Sequence, residues 1–493
     1  MLPHAEQACH SYATVPSTPP TVVILGIPFH NVSFDEAVEW ARQRILSRRP
    51  GYIATANMDF VMQSWRDPEL QRILLEADLV VADGIPIVWL SRLLGPRLKA
   101  RVTGSDLVPL LARMARDHHF SIYHLGGAAG VPEKAAEVLV RKFPGLRIAG
   151  CYSPPWANIL DMDHATILGK LQEARPDLLF VAFGAPKQEK WVNLHVRRWK
   201  VPLAIGVGGS LDFLAGVQKR APRFVQRMAL EWFWRMCSDP PRLVGRYLRN
   251  ICFFFRSLTE LLIIRCVPDR AESPVAADSA LRRMAHVERF VRLSDDDQAD
   301  AFNDALIEKA GERPVVLDMG GVPWLSSLEQ GALLRLTTQF RRQQQPCMLT
   351  GVGSRVRHML VWCHLSEYLE IGSSVAWILE KIETWKACAE RLGSIHHNAT
   401  GQVVVRLPTE LTAANLDAFR NLIDERPDFN HAREQILDAS ATRFVDSSAL
   451  GYFMRLKKQA DAQESKLRMV GVQPPVRRIF HITKADTILL DPQ

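Results

Sequence analysis

Short apolar runs alternate with helix-length segments of mixed polarity between residue 21 and about residue 207. The runs are rich in Val, Ile, Leu and Ala and end in small or polar residues, which is typical of strands buried on both faces of a sheet. The predicted strands cover residues 22–26, 52–56, 79–84, 121–127, 178–184 and 203–209. Their alternation with helices predicts an α/β domain with a Rossmann-like, mostly parallel sheet that has helices on both faces.

Local chemistry marks where two of the helices begin. Ser33 precedes a helical segment and Glu36 follows it by three residues, the spacing of a capping box. A second helix is predicted to begin near Pro132, after the fourth strand. Ligands in such sheets bind at the carboxyl ends of the strands. The residues that fall there are Asp83, Gly126, Gly127, Gly184, Gly208 and Gly209.

The segment from residue 220 to residue 265 alternates arginines with bulky apolar side chains. This pattern indicates amphipathic helices with a basic face, and two interpretations fit it equally well. The helices lie in a membrane interface, or they pack on their own domain with the arginines in water. No stretch reaches the roughly 18–20 apolar residues of a bilayer span, and residues 1–20 lack the pattern of a signal peptide.

The last part of the chain contains an internal repeat. Residues 325–336 align without gaps on residues 445–456, an offset of 120, and the same offset pairs Gly351 with Gly471. The shared register predicts two homologous small α/β domains. The predicted organisation is a disordered lead-in (1–20), a first domain with a basic amphipathic appendage (21–265), a linker (266–284) and two repeated domains (285–392 and 393–493).

Composition narrows the classes of partner. The 493 residues are 47% hydrophobic and 23% charged, an ordinary globular balance, and the net charge of +8 favours anionic partners. The eight cysteines form no CxxC pair, so reduced thiols in a cytosolic protein are expected. No P-loop occurs, and Leu211 stands where a dinucleotide loop needs its third glycine, which argues against a nicotinamide-dependent oxidoreductase.

Candidate catalytic groups lie where the predicted strands end. Asp83 follows a buried strand and precedes Gly84, so its carboxylate could accept a proton from an attacking hydroxyl. An aspartate that only forms a turn is the alternative. Asn57 ends the preceding strand, so we expect it to lie beside Asp83.

Three further clusters could bind substrate. The first cluster either binds a ligand or caps a helix, and it comprises Arg101, Thr103, Gly104 and Asp106. The second follows Gly184 and opens a helix whose amino end could meet a phosphate or a sugar hydroxyl, and it comprises Lys187, Gln188 and Glu189. The third allows close approach to the backbone, and it comprises Gly208, Gly209 and Asp212.

The first domain resembles the WecG/TagA/CpsF glycosyltransferase family (glycosyltransferase family 26) over about residues 21–250. Several motifs carry the resemblance together, in order and at plausible spacing. They are Thr55-Ala56-Asn57, Ala82-Asp83-Gly84-Ile85, Arg101-Val102-Thr103-Gly104-Ser105-Asp106-Leu107, Gly184-Ala185-Pro186-Lys187-Gln188-Glu189, Gly206-Val207-Gly208-Gly209-Ser210-Leu211-Asp212, Lys219-Arg220-Ala221-Pro222 and Glu231-Trp232.

This resemblance implies an inverting, metal-independent transfer of an N-acetylmannosamine-type, hexose or uronate sugar from a UDP-sugar to an undecaprenyl-diphosphate-linked acceptor. Asp83 would be the general base and Asn57 would position the acceptor, while Thr55 and the glycine-containing motifs would contact substrate. The basic appendage would reach an anionic membrane surface on the inner face of the cytoplasmic membrane. Its candidate diphosphate-binding arginines are Arg235, Arg242 and Arg246. No metal, cofactor or nucleic acid is expected, and self-association is left open.

The repeated domains resemble the STAS domain, the fold of anti-sigma-factor antagonists. In that family a serine at the start of one helix can be phosphorylated by a partner kinase, and here Ser448 is the first candidate and Ser447 the second. The alternative is that these serines only cap the helix. In the first copy Ser326 and Leu328 replace Asp446 and Ser448. We therefore expect the first copy to be structural or a dimerisation surface.

Two functions from different classes remain. One is a UDP-sugar transferase for exopolysaccharide or cell-surface glycan assembly, with a STAS tail that regulates it. The other is a catalytically inactive, partner-switching regulator of the anti-sigma-factor antagonist type. The presence of Asp83, Asn57 and the 184–189 motif favours the enzyme, because an inactive chain could lose these residues freely.

Overall fold

The computed structural model describes residues 18–490 apart from 197–198, 219–220, 223, 226–230, 239, 269, 271–277, 344, 367, 390–394, 398–401, 414, 427–428, 430–431, 433 and 484. Most of the predicted disordered lead-in (1–20) and the motif residues Lys219 and Arg220 lie outside the described residues.

A six-stranded parallel sheet forms the centre of the first domain, in the order β4-β3-β8-β7-β5-β6. This confirms the predicted α/β class. Two cores cover its faces, and successive residues alternate between them: Leu79 and Val81 pack in one, Val80 in the other. The strands are β3 (Gly51–Ala56), β4 (Leu79–Ala82), β5 (Ser121–Gly126), β6 (Arg147–Tyr152), β7 (Leu178–Ala182) and β8 (Leu203–Gly206).

Two strand predictions need correction. The 22–26 run does not join the sheet, because Leu25 and Gly26 both have positive φ and turn the chain into an antiparallel hairpin of β1 (Thr21–Ile24) and β2 (Ile27–His30). The sixth place in the sheet belongs to β6, which the pattern missed. That edge strand is only partly buried, so it needs no apolar run.

The helices of the first domain lie between and after these strands. Ser33 and Glu36 form the predicted capping box at the start of α1, which is therefore confirmed. The helices are α1 (Phe34–Leu46), α2 (Met58–Ser64), α3 (Pro68–Glu76), α4 (Ile85–Leu94), α5 (Gly104–Asp117), α6 (Val131–Lys142), α7 (His164–Ala174), α8 (Lys187–His195), α9 (Ser210–Leu214), α10 (Glu231–Ser238) and α11 (Pro240–Cys266).

The first repeated domain has a parallel four-stranded sheet in the order β12-β11-β10-β9. Its first helix begins inside the predicted linker, and Leu281 of that helix is fully buried in the core of this domain. The linker is therefore shorter than predicted. The elements are α12 (Ser279–Met284), β9 (His286–Arg289), α13 (Asp296–Ala310), β10 (Val315–Asp318), α14 (Ser327–Arg342), β11 (Cys347–Thr350), α15 (Ser354–Trp362), β12 (Glu370–Ile371) and α16 (Val375–Ala389).

The second repeated domain follows the same plan, with a sheet in the order β13-β14-β16-β18 and a separate parallel pair of β15 with β17. Its elements are β13 (Ile395–His397), β14 (Val403–Arg406), β15 (Glu410–Leu411), α17 (Leu416–Asp424), β16 (Glu434–Asp438), β17 (Phe444–Val445), α18 (Ser447–Ala462), β18 (Lys466–Val470), α19 (Pro474–Thr483) and α20 (Asp486–Leu489).

The repeat predicted at an offset of 120 is present in the structure. Helices α14 and α18 each have 16 residues and begin at equivalent positions. Their amino ends are capped by the equivalent residues Ser326 and Asp446, and the equivalent Gly351 and Gly471 both have positive φ. The two copies therefore share backbone detail as well as three parallel strands, β9-β10-β11 in the first and β14-β16-β18 in the second, whereas among the described strands the antiparallel β13 belongs to the second copy alone.

The first copy packs on the first domain through an apolar interface. Val23, Leu75 and Ile264 of the first domain belong to the same hydrophobic cluster as the core of this copy. Trp362 also donates a hydrogen bond of 2.6 Å to Glu260 of helix α11. This contact fits the structural role expected for the first copy, and the role as a dimerisation surface stays a prediction.

Candidate functional site

The predicted catalytic pair lies at the carboxyl ends of two neighbouring strands. The backbone N–H of Asp83 donates to Ala56 O at 2.8 Å, and a Cβ built on Gly84 would lie 3.6 Å from Asn57 Cβ. The structure therefore brings Asp83 and Asn57 together. Asn57 Oδ1 caps α2 by accepting from the N–H groups of two residues of its first turn, so its Nδ2 group is the part that can donate to a ligand.

The cluster around Thr103 borders the same crevice. Thr103 Oγ1 caps α5 by accepting from Asp106 N at 3.2 Å and donates to Asp106 Oδ2 at 2.7 Å. A Cβ on Gly104 would lie 3.5 Å from Thr55 Oγ1, which itself donates to Gly206 O at 3.0 Å. Both expected roles are thus compatible with this position, because the helix cap stands at the edge of the strand ends.

Arg101 connects this cluster to the basic appendage. Its guanidinium lies 3.7 Å from the buried carboxylate of Glu231, the first residue of α10. An ion pair in this place fixes the start of the appendage beside the strand ends. The appendage is therefore part of the rim of the crevice.

Gln188 and Glu189 are buried and hold the backbone of the site. Gln188 Nε2 and Tyr52 Oη donate to Glu189 Oε1 at 2.8 and 3.0 Å, and Gly208 N donates to Gln188 Oε1 at 3.2 Å. A Cβ on Gly206 would lie 2.6 Å from Gln188 Nε2, so this approach needs glycine. Burial raises the pKa of Glu189 to about 7. These two side chains support the turn after β8 from within the protein.

The remaining predicted donor-side residues line the ends of β5, β7 and β8. Gly126, Gly127, Gly184 and Gly208 all have positive φ, a conformation that favours glycine, and Gly209 is exposed, so a ligand can approach the main chain of Gly209 closely. A Cβ on Gly209 would lie 3.6 Å from Asp212 Oδ2, which places that carboxylate beside the turn.

Lys187 is held beside this region by aromatic rings. Its Nζ lies 5.7 Å from the ring of the exposed Trp156 and 5.5 Å from that of Phe183, and it donates to Ala157 O. Burial lowers the pKa of Lys187. A cation held over exposed aromatic surface is suited to a negatively charged or sugar ligand.

The appendage is described only in part. The side chains of Arg235 and Arg242 lie outside the described residues. The guanidinium of Arg246 lies 5.5 Å from the ring of Tyr247, and its Nε is shielded from solvent without a hydrogen-bond partner among the described residues. A shielded, unsatisfied donor of this kind is suited to an anion.

The serines predicted for phosphorylation do not cap their helix. Asp446 does so, by accepting from Ser448 N at 2.9 Å and Ala449 N at 3.1 Å, and the capping alternative is therefore wrong. Both serines are buried. Ser447 contacts Glu69 of the first domain, while Ser448 Oγ has no hydrogen-bond partner in the described part of the chain.

A cavity of about 540 Å³ lies at the amino ends of the strands of the central sheet, at the end opposite to Asp83. Arg48, Arg147 and Arg175 line it, and Arg48 pairs with Asp177 at 2.6 Å. Because the cavity opens at the amino ends of the strands, it is separate from the crevice that holds Asp83.

Sequence reasoning missed Tyr52, Glu69 and Lys190. Tyr52 looks like an ordinary strand residue in the sequence. Its role comes from Glu189, which is distant in the chain, and no local spacing reveals it. Among the described residues, the structure contains no cluster of His, Cys, Asp or Glu arranged as metal ligands, and no helix with the length and apolarity of a bilayer span.

Residues 22–266 match the model of the glycosyl transferase WecG/TagA/CpsF family, and residues 292–377 and 394–492 match the STAS domain. A protein of Bacillus spizizenii is 34% identical over 191 residues, which are 39% of this chain and 72% of that protein. One of Staphylococcus aureus strain MRSA252 is 29% identical over 241 residues, 48% of this chain and 92% of that protein. Both are named N-acetylglucosaminyldiphosphoundecaprenol N-acetyl-beta-D-mannosaminyltransferase.

Proposed function

Because the chain belongs to the WecG/TagA/CpsF family of glycosyl transferases, we propose that it transfers a sugar from a UDP-sugar to an undecaprenyl-diphosphate-linked acceptor, with inversion at the anomeric carbon. The sugar is of the N-acetylmannosamine, hexose or uronate type, and the product serves exopolysaccharide or cell-surface glycan assembly. The observation that carries the proposal is the position of Asp83 beside Asn57 at the open end of a parallel sheet.

In the proposed reaction, Asp83 accepts the proton of the acceptor hydroxyl as that oxygen attacks the anomeric carbon. Inversion follows from this single displacement, in which the C–O bond to the acceptor forms as the bond to UDP breaks. Asn57 Nδ2 donates to the acceptor and holds its hydroxyl toward Asp83. General-base catalysis of this kind contributes about 10²–10⁴-fold to a rate.

The leaving UDP carries negative charge that the chain must stabilise. The glycine turns after β5, β7 and β8 let a diphosphate approach the main chain closely, and the ammonium group of Lys187 is suited to pair with its charge. Arg246, with its shielded and unsatisfied Nε, is the described member of the arginine set that would complete the diphosphate site. Arginines of the appendage would thereby replace a metal ion.

The appendage is also the proposed membrane contact. Its helices α10 and α11 expose Trp232, Phe233, Leu248, Ile251, Phe255, Leu262 and Ile263. Exposed aromatic and aliphatic side chains among arginines are suited to the boundary between an anionic headgroup layer and its acyl chains. Peripheral binding to the inner face of the cytoplasmic membrane would present a lipid-linked acceptor to the crevice. Ser448 and Ser447 remain the proposed regulatory positions of the STAS tail.

The test is transfer from a panel of radiolabelled UDP-sugars to a lipid-diphosphate-sugar acceptor in the presence of membranes. We expect product with one donor and a loss of about 10²-fold or more in Asp83→Asn, with UDP binding retained. Asp161→Asn makes the same change at an exposed position of the same domain and should leave transfer at the wild-type rate. Product that persists in Asp83→Asn would contradict the assignment of the base. No product with any donor would favour a regulatory protein.

A further inference from the structure

The amino end of helix α18 in the second STAS copy is buried against the first domain. The backbone N–H and the hydroxyl of Ser447 both donate to the carboxylate of Glu69 on α3, at 2.6 and 2.8 Å. Ser447 is 3% exposed and Glu69 is 1% exposed. One carboxylate of the first domain therefore binds the start of this helix through two hydrogen bonds, in the way that a small anion would.

The charged groups around this contact are mostly carboxylates. Lys190 on α8 contacts Glu69 at 2.9 Å and Asp67 at 2.7 Å. Asp446, the cap of α18, is buried next to Ser447. Two carboxylates thus share one ammonium group and the carboxylate of Asp446 lies next to Ser447, so a further negative charge at Ser447 would meet repulsion.

Two further contacts of the second copy with the first domain also involve polar groups of the first domain. Arg72 lies 2.8 Å from Glu410 and stacks at 5.1 Å on the ring of Phe444. Arg478 donates to the backbone oxygens of Trp65 and Arg66 at 3.2 and 3.3 Å. Groups of this kind regain hydrogen bonds with water when two surfaces separate, which an apolar contact does not.

We propose that the face of the second STAS copy around Ser447 is an intramolecular docking surface whose partner is the first domain at Glu69 and Lys190, and that a negative charge at Ser447 opens it. A protein that binds the amino end of α18 must displace α3, so external partners and the first domain compete for this face. An enzyme that modifies Ser447 reaches its hydroxyl only in the open form, and the added charge then prevents closure.

The docked face is linked to the crevice by helix α8. Lys190 follows Gln188 and Glu189, which hold the turn at Gly206 and Gly208. Opening takes two hydrogen bonds away from Glu69 and leaves its charge to Lys190 alone. The turn at Gly206 and Gly208 is then held by helix α8, whose Lys190 has lost part of its surrounding contacts. This consequence rests on the proposed function, whereas the docking itself does not.

Hydrogen exchange on the full chain tests the docking, with Ser447→Glu compared with Gln459→Glu. The control adds the same charge to an exposed position of the same helix. We expect exchange of residues 65–76 and 444–452 to become at least about tenfold faster in Ser447→Glu and to stay at the wild-type rate in the control. Residues 434–438 of β16 should keep their protection, since the copy stays folded. Wild-type protection of 65–76 in Ser447→Glu would overturn the proposal.

A second variant separates repulsion from unfolding. Glu69→Gln removes one of the facing charges, so the double variant Ser447→Glu, Glu69→Gln should regain protection of 444–452 relative to Ser447→Glu alone. An unfolded copy would not be rescued by a substitution in another domain, and failure of the rescue would therefore count against docking through Glu69.

Transfer of the sugar by the same variants tests the link to α8. We expect Ser447→Glu to change the rate at least twofold while Gln459→Glu does not. Faster exchange with an unchanged rate would overturn the link and leave the docking in place. If the wild type also transfers no sugar, the proposed function fails, and the exchange result still decides the docking.

Discussion

The two STAS copies share one fold and one way of starting their central helix, yet among the described residues only the first copy shares a hydrophobic core with the first domain. The first copy shares a hydrophobic core with Val23, Leu75 and Ile264. The second copy meets it through hydrogen bonds and ion pairs, including those of Glu69 and Arg72. An apolar interface is costly to expose and therefore permanent, whereas a polar one can open. Duplication has thus produced one structural copy and one copy suited to release.

The two copies also differ in how closely their main chain approaches the first domain. A Cβ on Gly331 of α14 would lie 2.5 Å from Thr21 O, and a Cβ on Gly26 would lie 2.2 Å from Cys363 O. Main-chain atoms cannot withdraw as a flexible side chain can. The equivalent of Gly331 in the second copy is Gly451, and a Cβ there has no described atom within 4 Å. At these positions the first copy packs main chain against main chain, which only glycine allows. At the equivalent position Gly451 the second copy makes no such contact.

The largest effect is expected from Gly331→Ala, which should destabilise the chain by about 2–3 kcal/mol because its Cβ collides with backbone. Gly451→Ala makes the same change at the equivalent position in open space. It should be neutral or stabilise by about 0.5–1 kcal/mol, because alanine is the better helix former. Urea-induced unfolding of both variants measures the difference. Equal effects of the two substitutions would show that Gly331 is not packed closely against the backbone of Thr21.

A smaller effect is expected from pH at the second interface. Burial, and then the charge of Glu69, raise the pKa of Asp446 to about 6. A carboxyl whose pKa is raised on folding contributes stability below its usual pKa and loses it as the pH rises through the raised value. Docking should therefore weaken between pH 5 and pH 7, by about 1–2 kcal/mol.

Asp446→Asn should flatten this dependence, since an amide cannot ionise but can still accept the cap hydrogen bonds. Asp461→Asn, at an exposed position of the same helix, should keep the wild-type profile. Exchange of residues 444–452, corrected for the intrinsic effect of pH on exchange, measures the profile. A wild-type slope in Asp446→Asn would assign the dependence to another group.

The sequence predicted what local patterns encode. The alternation of apolar residues located the strand ends that carry Asn57 and Asp83, and the spacing of Ser33 and Glu36 located a helix start. The bond between Ser447 and Glu69 joins residues 378 positions apart, and no spacing in the chain anticipates it. Edge strand β6 was not predicted, because a partly exposed strand lacks the apolar run on which the prediction depends.

The smallest effect is expected from salt. Raising the ionic strength from about 0.1 to 1 M shortens the Debye length from about 10 to about 3 Å and weakens charge pairs near the surface. The pair of Arg72 with Glu410, which also contacts Arg341, should lose less than about 1 kcal/mol, seen as faster exchange of residues 65–76. Glu410→Gln should reduce this response, whereas Glu39→Gln, at an exposed position of α1, should not. The apolar first interface should resist salt. Equal loosening of both interfaces would remove the electrostatic distinction between the two copies.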